Sequence, residues 1–220
     1  MTEMHFVTPL HTRTKRDYVA RVVEHDKAEC ATVAKRFGAE YWDGNRKYGY
    51  GGYRYDGRWE VVARAMIDHY QLAPDASILD VGCGKAFLMY EFQKLLPDAT
   101  IKGIDISQYA VENGKPEMRD HVQAANATEL PFEDNSFDLV ISLGTLHNLK
   151  IYDLMRALKE MERVKRHYAY MMTESYRNES EKVNLMYWQL TCESFYSPEE
   201  WVWLFEHTGF TGDHEFIYFE

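Results

Sequence analysis

Apolar positions along this chain fall in blocks that alternate between the spacing of buried strands and that of amphipathic helices. Ser77-Ile-Leu-Asp-Val81 is a short, nearly continuous apolar run, the pattern of a parallel strand covered on both faces. Residues 101–106, 137–142 and 167–173 repeat that pattern and predict three further strands, and 214–219 predicts a closing one. Between them, a helix is expected from Arg58 to Tyr70, stopped by the Pro74 break, and another beginning near Ala86. Ser197-Pro-Glu-Glu places serine at an N-cap, proline at the first helical position and acids in the first turn, so a helix follows that ends before Gly209. Residues 184–190, with Leu185, Tyr187, Trp188 and Leu190, read as a core helix or as the wall of a binding site. Strands alternating with helices give an α/β protein with a doubly wound, mostly parallel sheet.

The first 60 residues do not share this alternation. Tyr18, Val22, Val23, Ala31, Val33, Ala34 and Phe37 are spaced as one amphipathic helix over residues 14–38, with Gly38 as its stop. Residues 41–59 then form a loop in which Tyr48, Tyr50, Tyr53 and Tyr55 alternate with glycine and arginine. Rigid rings on a mobile backbone suit a lid that excludes water, and Arg46, Arg54 and Arg58 suit a carboxylate. The competing reading is a packed surface loop. The expected division is a helical cap with an aromatic-glycine lid over residues 1–60, and the α/β domain over 61–220.

The chemistry concentrates where the first strand meets Gly82-Cys-Gly84. Two glycines allow a tight reversal into a helix whose N-terminal N–H groups are free to meet a ligand. The next strand ends in Asp105, about 20 residues on, where a carboxylate accepts hydrogen bonds from both hydroxyls of a ribose. The ligand is read as a nucleoside. A dinucleotide fingerprint wants a third glycine where Phe87 stands, and Asp80 would repel a pyrophosphate but suits a cationic end.

Asp80, Gly82, Gly84 and Ala86 fill a motif that resembles that of the class I, Rossmann-like S-adenosylmethionine-dependent methyltransferases, with Ala86 in place of the commoner glycine. Residues 125–132, Ala-Asn-Ala-Thr-Glu-Leu-Pro-Phe, are similar to the family segment that closes over the adenine, with Asn126 where many members have aspartate. The resemblance spans about residues 74–165 and points to the small-molecule branch. It implies S-adenosyl-L-methionine as cofactor, held by Asp80, Gly82, Gly84, Asp105, Ile106, Asn126 and Ala127, with Tyr53 and Arg58 from the lid. The family usually has two strands after the last helix, and here residues remain for one.

Methyl transfer mainly requires a nucleophile held in line, with a base for a hydroxyl or amine acceptor. His147, just past the fourth strand, and Glu174, just past the fifth, are the candidates for that base. Each has a bland alternative: loop packing for His147, a solvated loop for Glu174. Tyr48, Tyr50, Asn148, Tyr176, Arg177 and Trp188 are the candidate substrate contacts. The expected reaction is methylation of a hydroxyl or amino group on a small polar metabolite, such as a saccharide or specialised-metabolite precursor. The alternatives are a NAD-dependent oxidoreductase and a non-catalytic module that binds a protein partner.

Composition narrows the partners. A formal net charge of −10 over 220 residues argues against nucleic acid, which is bound by excess lysine and arginine. Three scattered cysteines, Cys30, Cys83 and Cys192, carry neither a disulfide framework nor zinc-site spacing, so no metal is expected. With no signal sequence and no membrane-length apolar run, a cytoplasmic protein without a membrane partner is expected. Oligomeric state is left open, a homodimer being one option.

Overall fold

The computed structural model describes residues 1–50 and 53–220. Six strands form one all-parallel sheet: β1 (Ser77–Val81), β2 (Thr100–Asp105), β3 (Val122–Ala124), β4 (Phe137–Leu143), β5 (Lys165–Glu174) and β6 (Asp213–Ile217). Their order across the sheet is β3-β2-β1-β4-β5-β6, so the chain switches direction of travel between β1 and β4. Ligand crevices of open α/β sheets form at such a switch, outside the C-terminal ends of the strands.

The helices in chain order are α1 (Thr8–His11), α2 (Tyr18–Val23), α3 (Lys27–Ala34), α4 (Ala39–Trp42) and α5 (Glu60–Tyr70). Then follow α6 (Phe87–Leu95), α7 (Gln108–Glu112), α8 (Ile151–Val164), α9 (Glu179–Trp188) and α10 (Pro198–Thr208). Successive strand residues face opposite sides, and the core divides accordingly. Ile78, Ile101, Ile141 and Tyr170 pack with Val62 and Met66 of α5 and Met89 and Phe92 of α6. Leu79, Val81, Ile104 and Met171 pack with Leu154, Leu158 and Met161 of α8 and Trp201 and Phe205 of α10. The last helix starts as its sequence predicts: Ser197 and Glu200 form a reciprocal capping box and Gly209 ends it at φ 75°.

The cap departs from expectation. Residues 14–38 are not one helix. The Asp17 carboxylate accepts the Ala20 N–H and the Asp26 carboxylate accepts the Glu29 N–H, so α2 and α3 each start at their own cap. Asp26 is extended, and that breaks the run. Phe37, not Gly38, takes the left-handed conformation after α3, and Gly38 is the N-cap of α4. The expected loop of residues 41–59 holds the end of α4 and a 3₁₀ turn at Arg46–Tyr48. The expected lid includes Gly51 and Gly52, which lie outside the described residues.

The far sheet edge holds another device. The segment before α1 runs beside β6: the Met4 N–H donates to the His214 carbonyl (2.7 Å) and the His214 N–H to the Thr2 carbonyl (3.0 Å). The fully buried Glu215 carboxylate then accepts the backbone N–H groups of Phe6, Val7 and Thr8, the Thr8 hydroxyl and the Tyr170 hydroxyl. One strand after α10 therefore suffices, because the N-terminal segment covers its free edge.

Candidate active site

Val81, Asp105, Leu143 and Glu174 end their strands at the same sheet edge, and cap residues line with them an open cavity of about 490 Å³. The glycine turn is pinned to β2, since the N–H groups of Gly82 and Cys83 both donate to the Ile104 carbonyl at 2.8 and 2.9 Å. Gly82 sits at φ 84°, and a Cβ there would lie 2.2 Å from the Thr145 side chain. Gly84 sits at φ 52°, and a Cβ there would lie 2.8 Å from the Trp42 ring. The space these glycines keep open along their Cβ directions is thus taken by Thr145 and Trp42. Both glycines still line the cavity with their backbone.

Asp105 is buried, and its two oxygens each accept one N–H, from Gly84 and from Ser107, both at 2.8 Å. A carboxylate oxygen has a second lone pair, so both remain able to accept a ribose hydroxyl. The Ser107 hydroxyl donates to the Phe37 carbonyl and accepts the Trp42 indole N–H, which ties the cap to the loop that shapes Asp105. Beside it, Ile106 is 61% exposed and offers an apolar platform. Asn126 also lines the cavity; its Oδ1 accepts the Thr128 N–H at 3.0 Å, leaving a lone pair and the amide N–H groups.

Three buried carboxyl groups, those of Asp80, Asp105 and Glu174, line the cavity. Burial, reinforced by Asp105, pushes the Asp80 carboxyl up to about 7. The two basic side chains in the lining are already engaged: Arg58 with Asp56, and Lys85 with Asp43, which also accepts the Tyr109 hydroxyl. A ligand with a cationic end relieves the Asp80 carboxylate, which no basic side chain among the described residues pairs with.

At the other pole, His147 Nε2 lies 3.1 Å from Glu174 Oε2, with both side chains buried. Burial pushes Glu174 up to about 8, against smaller opposing effects of Arg16 and Gln189, and pushes His147 well down. Both groups therefore favour their uncharged forms. The His147 carbonyl accepts the N–H groups of Glu193 and Ser194, which fixes its loop. The Tyr50 hydroxyl accepts the N–H groups of Leu190 and Thr191, so its own proton goes to Gln189 Oε1 at 2.6 Å. Gln189 then presents its amide N–H groups to Glu174.

Of the residues singled out in the sequence, the cavity gathers Asp80, Gly82, Gly84, Asp105, Ile106, Asn126, Ala127, Tyr50, Tyr53, Arg58, His147, Asn148 and Glu174. Four lie elsewhere. Tyr48 packs with Cys30, Ala34 and Leu190. Trp188 packs with Leu185 and Phe219 beneath the guanidinium groups of Arg16 and Arg21. Tyr176 and Arg177 line a separate shallow depression between the starts of α9 and α10, where Arg177 pairs with Glu181 and Glu220. Arg46 sits over Trp188, outside the cavity. Sequence reasoning missed Lys85, Thr145, Trp42 and Gln189, whose roles depend on partners far away in the chain.

Comparison with known proteins bears on the same region. Residues 79–173 match the model of a family described as "Methyltransferase domain", a span running from β1 to the next-to-last residue of β5. The six-stranded parallel sheet with its flanking helices has the fold of class I methyltransferases. Over 116 residues the sequence is 33% identical to a demethylmenaquinone methyltransferase of Symbiobacterium thermophilum, covering 49% of this chain and 45% of that protein. Over 112 residues it is 37% identical to the ubiquinone/menaquinone biosynthesis C-methyltransferase UbiE of Hahella chejuensis, covering 47% and 44%. A tRNA U34 carboxymethyltransferase of Pseudoalteromonas atlantica is 32% identical over 117 residues, covering 50% and 35%. The chain thus matches less than half the length of these relatives. In fold, the methyltransferase domain resembles the geranyl diphosphate C-methyltransferase of Streptomyces coelicolor A3(2), with a TM-score of 0.54, 19% identity, and 66% and 59% of the two chains covered. YcgJ of Bacillus subtilis gives a TM-score of 0.52 at 23% identity, covering 66% of each chain. Among the described residues no helix is long and apolar enough to cross a membrane, and no group of three or more His, Cys, Asp or Glu is placed to hold a metal ion.

Proposed function

We propose that the protein is an S-adenosylmethionine-dependent methyltransferase that methylates a hydroxyl or amino group of a small molecule held in the cavity. The observation that carries this reading is the pairing of two poles in one cavity. At one, Asp105 and the uncompensated Asp80 carboxylate suit a nucleoside with a cationic tail. At the other, the buried His147–Glu174 pair suits an acceptor that must lose a proton. When bound, the cofactor supplies an already activated methyl group, so the protein's task is positioning and proton removal.

The residues divide that task. Asp105 orients the ribose through lone pairs left by Gly84 and Ser107. Tyr41, Tyr50, Tyr53 and Trp42 wall the cavity with rings and exclude water. His147 and Glu174 receive the acceptor's proton. A NAD-dependent oxidoreductase is disfavoured, because Asp80 opposes a pyrophosphate and Phe87 stands where its fingerprint needs glycine. A second reading is methylation of carbon on a phenolic ring. The aromatic walls favour it, as does the similarity to demethylmenaquinone methyltransferase and to the ubiquinone/menaquinone biosynthesis C-methyltransferase. Replacing His147 by alanine is expected to lower turnover by about 10²–10⁴-fold with S-adenosylhomocysteine affinity unchanged. Full turnover in that variant would remove the proton-accepting role.

A further inference from the structure

We infer that the methyl acceptor is a small amine, whose nitrogen binds as an ammonium group beside the His147–Glu174 pair and is the atom methylated. The inference rests on the methyltransferase reading above and deepens it.

Three buried atoms of cavity-lining residues lack a well-formed hydrogen bond among the described residues: Glu174 Oε2, which only faces His147 Nε2 at 3.1 Å, His147 Nδ1 and Asn148 Oδ1. Two of them are oxygen acceptors, so the pole asks for a ligand that brings several donors, as an ammonium group does. Aromatic rings stand over the same space. Tyr41 packs against Trp42, Tyr50 and Tyr53 with centroids 5.0, 5.9 and 5.3 Å away, and ring faces attract a cation. An anionic acceptor finds no free basic partner in the described lining, because Arg58 and Lys85 are held by Asp56 and Asp43. A purely apolar ring would leave a buried carboxyl and imidazole unsatisfied, at about 1–3 kcal/mol per group. The net charge of −10 also favours approach of cations.

The chemistry balances without another reactant. An ammonium nitrogen has no free lone pair, so it first gives one proton to the Glu174 carboxylate. Burial raises that carboxyl to about 8, which brings it closer to an ammonium group and eases the transfer. The freed lone pair forms the N–C bond as the C–S bond breaks with its electron pair passing to sulfur. The nitrogen, again cationic, leaves as the methylated ammonium, and Glu174 returns its proton to solvent.

The test uses the purified chain saturated with S-adenosylhomocysteine, and its first step is that saturation. Failure to bind S-adenosylhomocysteine would reject the cofactor reading itself, before the acceptor is addressed. Binding of matched probes is then measured by calorimetry: tyramine against tyrosol, ethanolamine against ethylene glycol, and hydroxyphenylacetate as the anion. Each amine is expected to bind about tenfold or more tighter than its alcohol, the worth of one charge-assisted hydrogen bond. The anion is expected not to bind. In Glu174→Gln, which keeps the side-chain volume, the amine preference is expected to vanish while S-adenosylhomocysteine affinity persists. Equal or reversed preference in the unaltered protein, or no binding of any amine, would overturn the inference. So would an amine preference that survives in Glu174→Gln.

Discussion

At the scale of single residues, the cavity is governed by acids held partly protonated. Glu174 and Asp80 titrate in the folded protein near 8 and 7, against ordinary values of 4.5 and 3.8. Between those limits the folded state holds protons that the unfolded chain has released. Each acid's contribution is therefore fully present below its ordinary value and is lost as pH rises through its folded value. His147, His11 and His214, all pushed down by burial, act with the opposite sign below about 6.5, so the bulk stability curve mixes the two effects. Comparing variants isolates the acid. The stability of Glu174→Gln relative to the unaltered protein should improve by about 2 kcal/mol or more between about pH 5 and about pH 8, read from urea denaturation without cofactor. A difference that stays flat with pH would show that Glu174 is ionised in the folded protein.

At the scale of elements, the glycine turn and the cap form one unit. Gly84→Ala meets two costs: a left-handed backbone worth about 1–2 kcal/mol, and contact with the Trp42 ring. Trp42→Ala removes the second, so the double variant should lose less stability than the sum of the singles, by about 0.5–3 kcal/mol. Strict additivity would show that Trp42 does not rest on the turn. The turn itself was legible in the sequence, as were β1, β2, β4, β5, α5 and α10, because apolar runs, glycines and a capping box are local signals. β3 was not, being three residues with only Val122 less than exposed. The split of residues 14–38 was written in Asp17 and Asp26, but apolar spacing alone hid those caps. Tyr48 and Trp188 were assigned to the site by residue type, whereas their direction depends on where α3 and α9 dock. Lys85 and Gln189 were missed for the same reason: their partners Asp43 and Tyr50 lie 42 and 139 positions away.

At the scale of the whole molecule, the first residues and the last strand hold each other. Glu215 gathers five donors from residues 6–8 and Tyr170 in a fully buried position, and burial beside that carboxylate pushes the Tyr170 phenol well up. Glu215→Gln turns an amide N–H₂ toward groups that are themselves donors. It should cost about 2–5 kcal/mol and release the N-terminal segment to proteases. Unchanged stability would mean the segment is not held by this carboxylate. The same sheet, closed at that edge, presents the cavity at its C-terminal end, and the account as a whole stands on what that cavity takes. The direct measurement is calorimetric titration of the chain with S-adenosylhomocysteine and, separately, with NAD. The account predicts saturable binding of S-adenosylhomocysteine, weakened by about 1.5–3 kcal/mol in Asp105→Ala, and no binding of NAD. Binding of NAD alone, or S-adenosylhomocysteine affinity untouched in Asp105→Ala, would contradict it.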